Sequence, residues 1–161
     1  MTVSRGKKFE DVIRQSFEKV DGVSIDRLHD QTTGFKGSQN ICDFIVYKEP
    51  YEYYIECKSV HGASLPFSNI TETQWLGLLE KSVIKGVFAG IICWYIDKDI
   101  TLYIPIQLLQ YIKDNSEIKS FKYSFDGYSN ETLHVTQLKG KKKRIFFDYD
   151  MEEFLNGVSL S

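Results

Sequence analysis

Two short runs, Cys42-Asp43-Phe44-Ile45-Val46-Tyr47 and Tyr53-Tyr54-Ile55-Glu56-Cys57-Lys58, are rich in apolar and aromatic residues and bounded by polar or turn-forming ones, with Lys48-Glu49-Pro50-Tyr51 between them. Such runs read as strands, and so short a connection makes them an antiparallel hairpin. Pairing Tyr47 with Glu52 places Asp43 opposite Glu56. Facing carboxylates on adjacent strands repel, so a sheet keeps them there only with positive charge between them. A divalent cation meets that need. Strand alternation puts Lys58 on the same face as both acids, so two carboxylates and an ammonium converge, a constellation suited to metal-dependent hydrolysis.

The rest of the chain supplies layers for this hairpin. Ser4 caps a predicted helix over residues 5–20, in which Phe9, Ile13, Phe17 and Val20 form one apolar stripe. A short strand over residues 23–28 follows. The polar, glycine-containing segment 29–40 has no apolar periodicity and reads as an exposed loop or short stalk. Thr71-Glu72-Thr73-Gln74 opens a second helix with capping-box spacing, lined on one side by Trp75, Leu79 and Val83 and closed by Gly86. The nearly continuous apolar run 89–96 fits a strand buried on both faces, and residues 100–104 form another. Pro105 is placed as the first residue of a helix through Leu109 and Ile112. Two last strands, near 133–137 and 144–147, flank a basic turn. The expected fold is α/β, a single domain over residues 1–161 with a mixed sheet flanked by helices. The helix between the strand ending at Lys58 and the 89–96 strand permits a right-handed crossover and parallel pairing there, and the hairpin site is expected at the sheet's edge. Residues 115–161 form a variable C-terminal part.

At 161 residues the chain can build a core without disulfides or structural metal. Cys42, Cys57 and Cys93 sit singly in apolar runs, as buried thiols of a reducing cytoplasm do. The start lacks an apolar leader and no apolar run is long enough to span a bilayer, so a cytoplasmic protein without membrane contact is expected. A net charge of −2 argues against coating nucleic acid over the whole surface. The cations are nevertheless clustered, with Arg5, Lys7 and Lys8 at one end and Lys139, Lys141, Lys142, Lys143 and Arg144 at the other.

Asp43 and Glu56 offer hard oxygen ligands, which suit magnesium or manganese, and the backbone carbonyl of Cys57 can add a third. A cation so held keeps several waters, one of which can serve as nucleophile at a phosphodiester. Lys58 then orients or deprotonates that water, or neutralises the phosphate. An exposed strand-edge ion pair would account for Glu56 and Lys58 but leaves Asp43 unexplained. Gln74 either completes a capping box with Thr71 or points toward the metal. Glu10 either pairs with Arg14 four residues on, or reaches the metal shell if its helix packs on the hairpin. His29, His61 and His134 have no ligand spacing to one another. No nucleophilic serine or cysteine motif and no glycine-rich phosphate loop is present.

Asp43 followed by Glu56-Cys57-Lys58 and then Gln74 resembles the PD-(D/E)XK nuclease superfamily, in its defining positions. A closer similarity is to the RecU-type Holliday junction resolvases, some of them carried by phages. It rests on Gly6-Lys7-Lys8-Phe9-Glu10, Cys42-Asp43-Phe44, Ile55-Glu56-Cys57-Lys58 and Leu65-Pro66-Phe67-Ser68-Asn69-Ile70, with Gln74 four residues beyond. The resemblance implies a restriction-endonuclease-like fold and a homodimer that makes paired cuts in four-way DNA junctions with magnesium or manganese, in a bacterial or phage-infected cytoplasm. Asp43, Glu56 and Lys58 are its expected catalytic residues, with Gln74 and Glu10 beside them. The metal is expected at Asp43, Glu56 and the Cys57 carbonyl, and DNA at Arg5, Lys7, Lys8, Arg27 and Lys36. A stalk entering the junction corresponds to residues 29–40. Two other readings share these residues: a restriction- or repair-type nuclease of the same superfamily, and a DNA-binding recombination accessory protein without turnover. Acids facing phosphate count against the last.

Overall fold

A computed structural model describes residues 4–29, 39–125 and 133–159. Ser4 caps helix α1 (Arg5–Glu18) by accepting from the Lys7 amide, and Phe9, Ile13 and Phe17 form its buried stripe. The expected helix overshoots by two residues. Strands β1 (Ser24–Arg27), β2 (Phe44–Lys48) and β3 (Tyr51–Val60) come after it, each antiparallel to the next, with Tyr47 opposite Glu52 as anticipated. The expected stalk and its Lys36 fall outside the described residues apart from His29, Gln39 and Asn40. The Asn40 amide donates to the His29 carbonyl at 2.7 Å, so the chain leaves and re-enters at one place.

Next come β4 (Ser64–Pro66), a short 3₁₀ turn over Phe67–Asn69, helix α2 (Glu72–Ser82) and strand β5 (Val87–Tyr95), which runs parallel to β3 as expected of a strand–helix–strand crossover. Strand β6 (Ile100–Pro105) and helix α3 (Ile106–Asn115) precede β7 (Ser120–Lys122), β8 (Thr136–Gln137), β9 (Gly140–Lys142), β10 (Phe147–Tyr149) and α4 (Met151–Ser159). The main sheet has six strands in the order β1-β2-β3-β5-β6-β8. Phe9, Ile13 and Phe17 of α1 and Phe154 and Leu155 of α4 cover one face. Trp75 and Leu78 of α2 and Leu108, Leu109 and Ile112 of α3 cover the other. No described helix is long and apolar enough to cross a membrane.

Four expectations need correction. The β2–β3 hairpin is interior, because β1 covers β2 and β5 covers β3. Val83 is exposed, since α2 ends at Ser82 and Val83 is its cap; Trp75 and Leu78 are the buried positions. Pro105 is the cap of α3 rather than its first residue. Near the C-terminus β8 pairs with β6, while β9, inside the basic run, pairs with β10.

Close approach at one glycine sets the position of α2. A Cβ on Gly77 of that helix would collide with the Ile41 side chain. Ile41 lies two residues before Asp43, so the absence of a side chain at residue 77 lets α2 seat against the start of β2.

Candidate active site

Asp43 sits just before the registered pairs of β2. Its amide donates to Ile55 O at 3.0 Å and its carbonyl accepts from Leu28 N at 2.8 Å, which fixes the main chain between β1 and β3. The regular ladder ends at the Phe44–Ile55 pair, and the bond from the Asp43 amide to the same Ile55 marks a one-residue slip. Asp43 is therefore not squarely opposite Glu56. Its carboxylate instead accepts from the Cys57 amide at 2.8 Å. The contact made by Cys57 is thus a main-chain one, with its thiol buried among the residues under α1. Burial pushes the Cys42 thiol up to about 12 and the Cys57 thiol well above its ordinary value, so neither is a thiolate.

Glu56 points to the opposite face, toward α2, and is only 4% exposed. Its Oε2 accepts from Gln74 Nε2 at 3.0 Å and lies 3.0 Å from Lys58 Nζ. Lys58 in turn donates to Gln74 Oε1 at 3.3 Å. That oxygen also accepts from the Thr71 amide at 3.0 Å, while the Gln74 amide donates to Thr71 Oγ1. Gln74 therefore closes the capping box and reaches the acid and the lysine with the same side chain. Glu56 is buried and Lys58 half-buried on an interior strand, so they are not an exposed edge pair.

The two carboxyls sit in conflict. Burial, then the Asp43 charge, raises the pKa of Glu56 against the opposing pull of Lys58. Burial also raises Asp43, opposed chiefly by the Cys57 amide and by a hydrogen bond shared with Glu56. Two full negative charges are disfavoured here, and a proton or a cation relieves them. Among the described residues no group of three or more His, Cys, Asp or Glu is placed to hold a metal ion. Asp43 and Glu56 are the two carboxylates that a cation at this position could take as ligands, with backbone carbonyl and water to complete the shell. That all-oxygen, doubly acidic set fits magnesium or manganese.

Glu10 joins the cluster from α1. It pairs with Arg27 at 2.7 Å rather than with Arg14, which bonds Glu18 at 2.8 Å. Burial and then the charge of Asp43 raise the Glu10 pKa, which places Glu10 electrostatically within the acidic group. Arg27, expected to contact DNA, has its guanidinium on Glu10 and, at 3.0 Å, on Asp11. Arg5, Lys7 and Lys8 are exposed on the first turn of α1. A Cβ on Gly6 of that turn would lie 3.9 Å from Ser59 Oγ, beside Lys58, so these cations stand next to the cluster.

Sequence reasoning missed the Arg27–Glu10 pair, the Cys57 amide as the anchor of Asp43, and the Gly77–Ile41 contact. The first two depend on pairing between segments far apart in the chain. Gly77 in the middle of an otherwise good helix was the available signal for the third.

No protein-family model matches the chain, and no curated protein matches it. Among solved structures, Hjc of Archaeoglobus fulgidus, described as a Holliday junction resolvase from an archaeal hyperthermophile, is similar with a TM-score of 0.52 and 18% identity, over 74% of this chain and 89% of that one. This likeness shows the fold: a mixed α/β domain of the resolvase and restriction-endonuclease type.

Proposed function

We propose that the chain is a metal-dependent endodeoxyribonuclease of the PD-(D/E)XK superfamily, a RecU-type Holliday junction resolvase that acts as a homodimer on four-way DNA junctions during recombination in a bacterial or phage-infected cytoplasm. The observation that carries this reading is the convergence of half-buried Asp43 on buried Glu56, with Gln74 and Lys58 fixed on one oxygen of Glu56. The solved structure that shares the fold is described as a resolvase, which supports the choice of substrate.

The roles of the side chains derive from their contacts. Asp43 and Glu56 would hold magnesium or manganese, and the Cys57 amide keeps the Asp43 carboxylate aimed. When bound, such a cation supplies the positive charge that a phosphodiester needs as negative charge builds on its oxygens. Lys58, one-fifth exposed at its side chain, is held by Glu56 and Gln74 with its ammonium partly open, where it can neutralise a phosphate oxygen or orient a water. Glu10 adds negative charge at the rim, balanced by Arg27. Arg5, Lys7 and Lys8 contact the DNA backbone, and dimerisation doubles that patch.

The test is cleavage of a mobile four-way junction and of linear duplex, with magnesium and with chelator. Symmetric cuts in the junction that require the metal support the resolvase reading. Equal nicking of duplex and junction by a monomer leaves a nuclease of another type. Binding without cleavage under all metals leaves the accessory protein.

A further inference from the structure

We infer that the β9–β10 hairpin is a second DNA-backbone contact, flanking the proposed active site and centred on Lys141, Lys143 and Arg144. The inference rests on the nuclease reading for its substrate, but on separate residues.

The run 139–144 carries five cations, and the structure divides them into two groups. Lys139 pairs with Glu153 at 3.1 Å and Lys142 pairs with Asp99, so these two fasten the hairpin to α4 and to the turn before β6. The nearby Asp148 is taken by Lys19 at 2.5 Å, although Lys143 also lowers its pKa as the last of several influences. Lys141, Lys143 and Arg144 make no ion pair among the described residues, and all three are exposed. They are adjacent to the tip.

The tip itself is unusual for a plain chain reversal. Lys143 N donates to Phe146 O at 2.8 Å, which leaves Arg144 and Ile145 as the two central residues. Two-residue hairpin connections favour Asn, Asp and Gly. Here an arginine and a half-exposed isoleucine are held out instead, from a hairpin with firm packing behind it. Phe146 packs on Trp94 with ring centroids 5.2 Å apart, and Trp94 packs on Phe9 at 5.6 Å. Trp94 is the register partner of Ser59, the residue after Lys58, and Phe9 precedes Glu10. The hairpin is thereby set at the end of β3 that bears Lys58 and the first turn of α1. Three exposed cations, none in an ion pair among the described residues, stand on a braced projection there and match the spaced negative charges of a nucleic-acid backbone.

The experiment uses the full chain carrying Lys141→Ala, Lys143→Ala and Arg144→Ala together, and a control carrying Lys48→Ala and Lys85→Ala at the opposite end of β3. Affinity for a fluorescent four-way junction is measured over a salt series in chelator, and the cleavage rate at saturating junction is measured with magnesium. The hairpin variant should bind on the order of tenfold or more weakly, with its salt slope reduced by about one for each phosphate that is no longer neutralised, and should keep the saturated rate. The control should match the wild type. Wild-type affinity and slope in a hairpin variant that melts like the wild type would overturn the inference while leaving the nuclease reading intact. A wild type that binds DNA but never cuts would overturn the nuclease reading, and the affinity comparison would still decide the role of the hairpin.

Discussion

Gln74 Nε2 donates to Glu56 Oε2 at 3.0 Å, while Gln74 Oε1 accepts from the Thr71 amide at 3.0 Å. One side chain therefore caps α2 and holds the buried acid of β3. The start of the helix cannot shift without moving the acid, and this couples the fold of the crossover to the geometry of the site.

Gln74→Glu separates the two duties. The new carboxylate can still accept from Thr71 and Lys58, but it has no donor for Glu56 and adds a third negative charge beside it. Gln74→Ala loses the cap as well, at a cost of roughly 1 kcal/mol. We expect Gln74→Glu to cut DNA far more slowly than wild type at a given magnesium concentration. Normal cleavage by Gln74→Glu would reduce residue 74 to a cap.

Asp43→Asn and Glu56→Gln each remove one of two conflicting charges. Cleavage should be abolished, and junction binding should be unchanged or tighter, because a negative charge near phosphate is gone. Asp43→Asn keeps an acceptor for the Cys57 amide, so without metal it should melt at a higher temperature than wild type. Lys58→Ala has the opposite balance. It strips the acid pair of its cation and should lower both melting temperature and turnover, because a part-buried partner is removed. A stable, active Lys58→Ala variant would contradict the placement of the ammonium.

The register of the hairpin was legible because the connection between the two runs is so short that Tyr47 pairs with Glu52 across it, and Tyr47 does face Glu52. The parallel β3–β5 pairing was legible from the helix between them. The interior position of β2 was not, since nothing local in Ser24–Arg27 says that it pairs with β2. The slip at Asp43 was hidden for a similar reason: it depends on which main-chain group its amide and carboxylate find. The C-terminal hairpin escaped because Gly140-Lys141-Lys142 has no apolar alternation, and only its partner strand identifies it as a strand.

Stability should depend on pH in a sense set by the acid pair. Glu56 and Asp43 both have folded pKa values above the ordinary ones, so the folded state holds the proton more tightly than the unfolded chain. Their contribution is fully present below the ordinary carboxylate range and is lost as pH rises through the raised values. Asp97 and Asp148 are shifted downward and act in the opposite sense, but only at and below the ordinary range. Metal-free protein should therefore lose melting temperature as pH rises from mildly acidic to neutral and beyond. Magnesium should recover that loss, more strongly at higher pH, because it takes the place of the shared proton. Scanning calorimetry across pH with magnesium or chelator reads both effects. A magnesium-induced shift that does not grow with pH would argue against binding at the acid pair.

The Gly77 contact supplies a test that touches no charged residue. Alanine inside a helix is ordinarily favoured over glycine by about 1 kcal/mol. At residue 77 the added methyl would collide with the Ile41 side chain, with Ile41 Cβ itself 2.6 Å from the new carbon. The helix must then back away from the segment leading to Asp43, and overpacking of this kind costs about 1–3 kcal/mol. The collision outweighs the propensity, so Gly77→Ala should melt lower than wild type. Cleavage should fall more than stability does, because Gln74 lies one turn away on the same helix and its 3.0 Å contact with Glu56 lengthens as the helix moves. Ile41→Ala removes the closest atom and should restore part of both losses when combined with Gly77→Ala. A Gly77→Ala variant that is more stable and fully active would show that α2 and the Asp43 strand have room to spare. Close seating of the helix would then not be what holds Gln74 on Glu56.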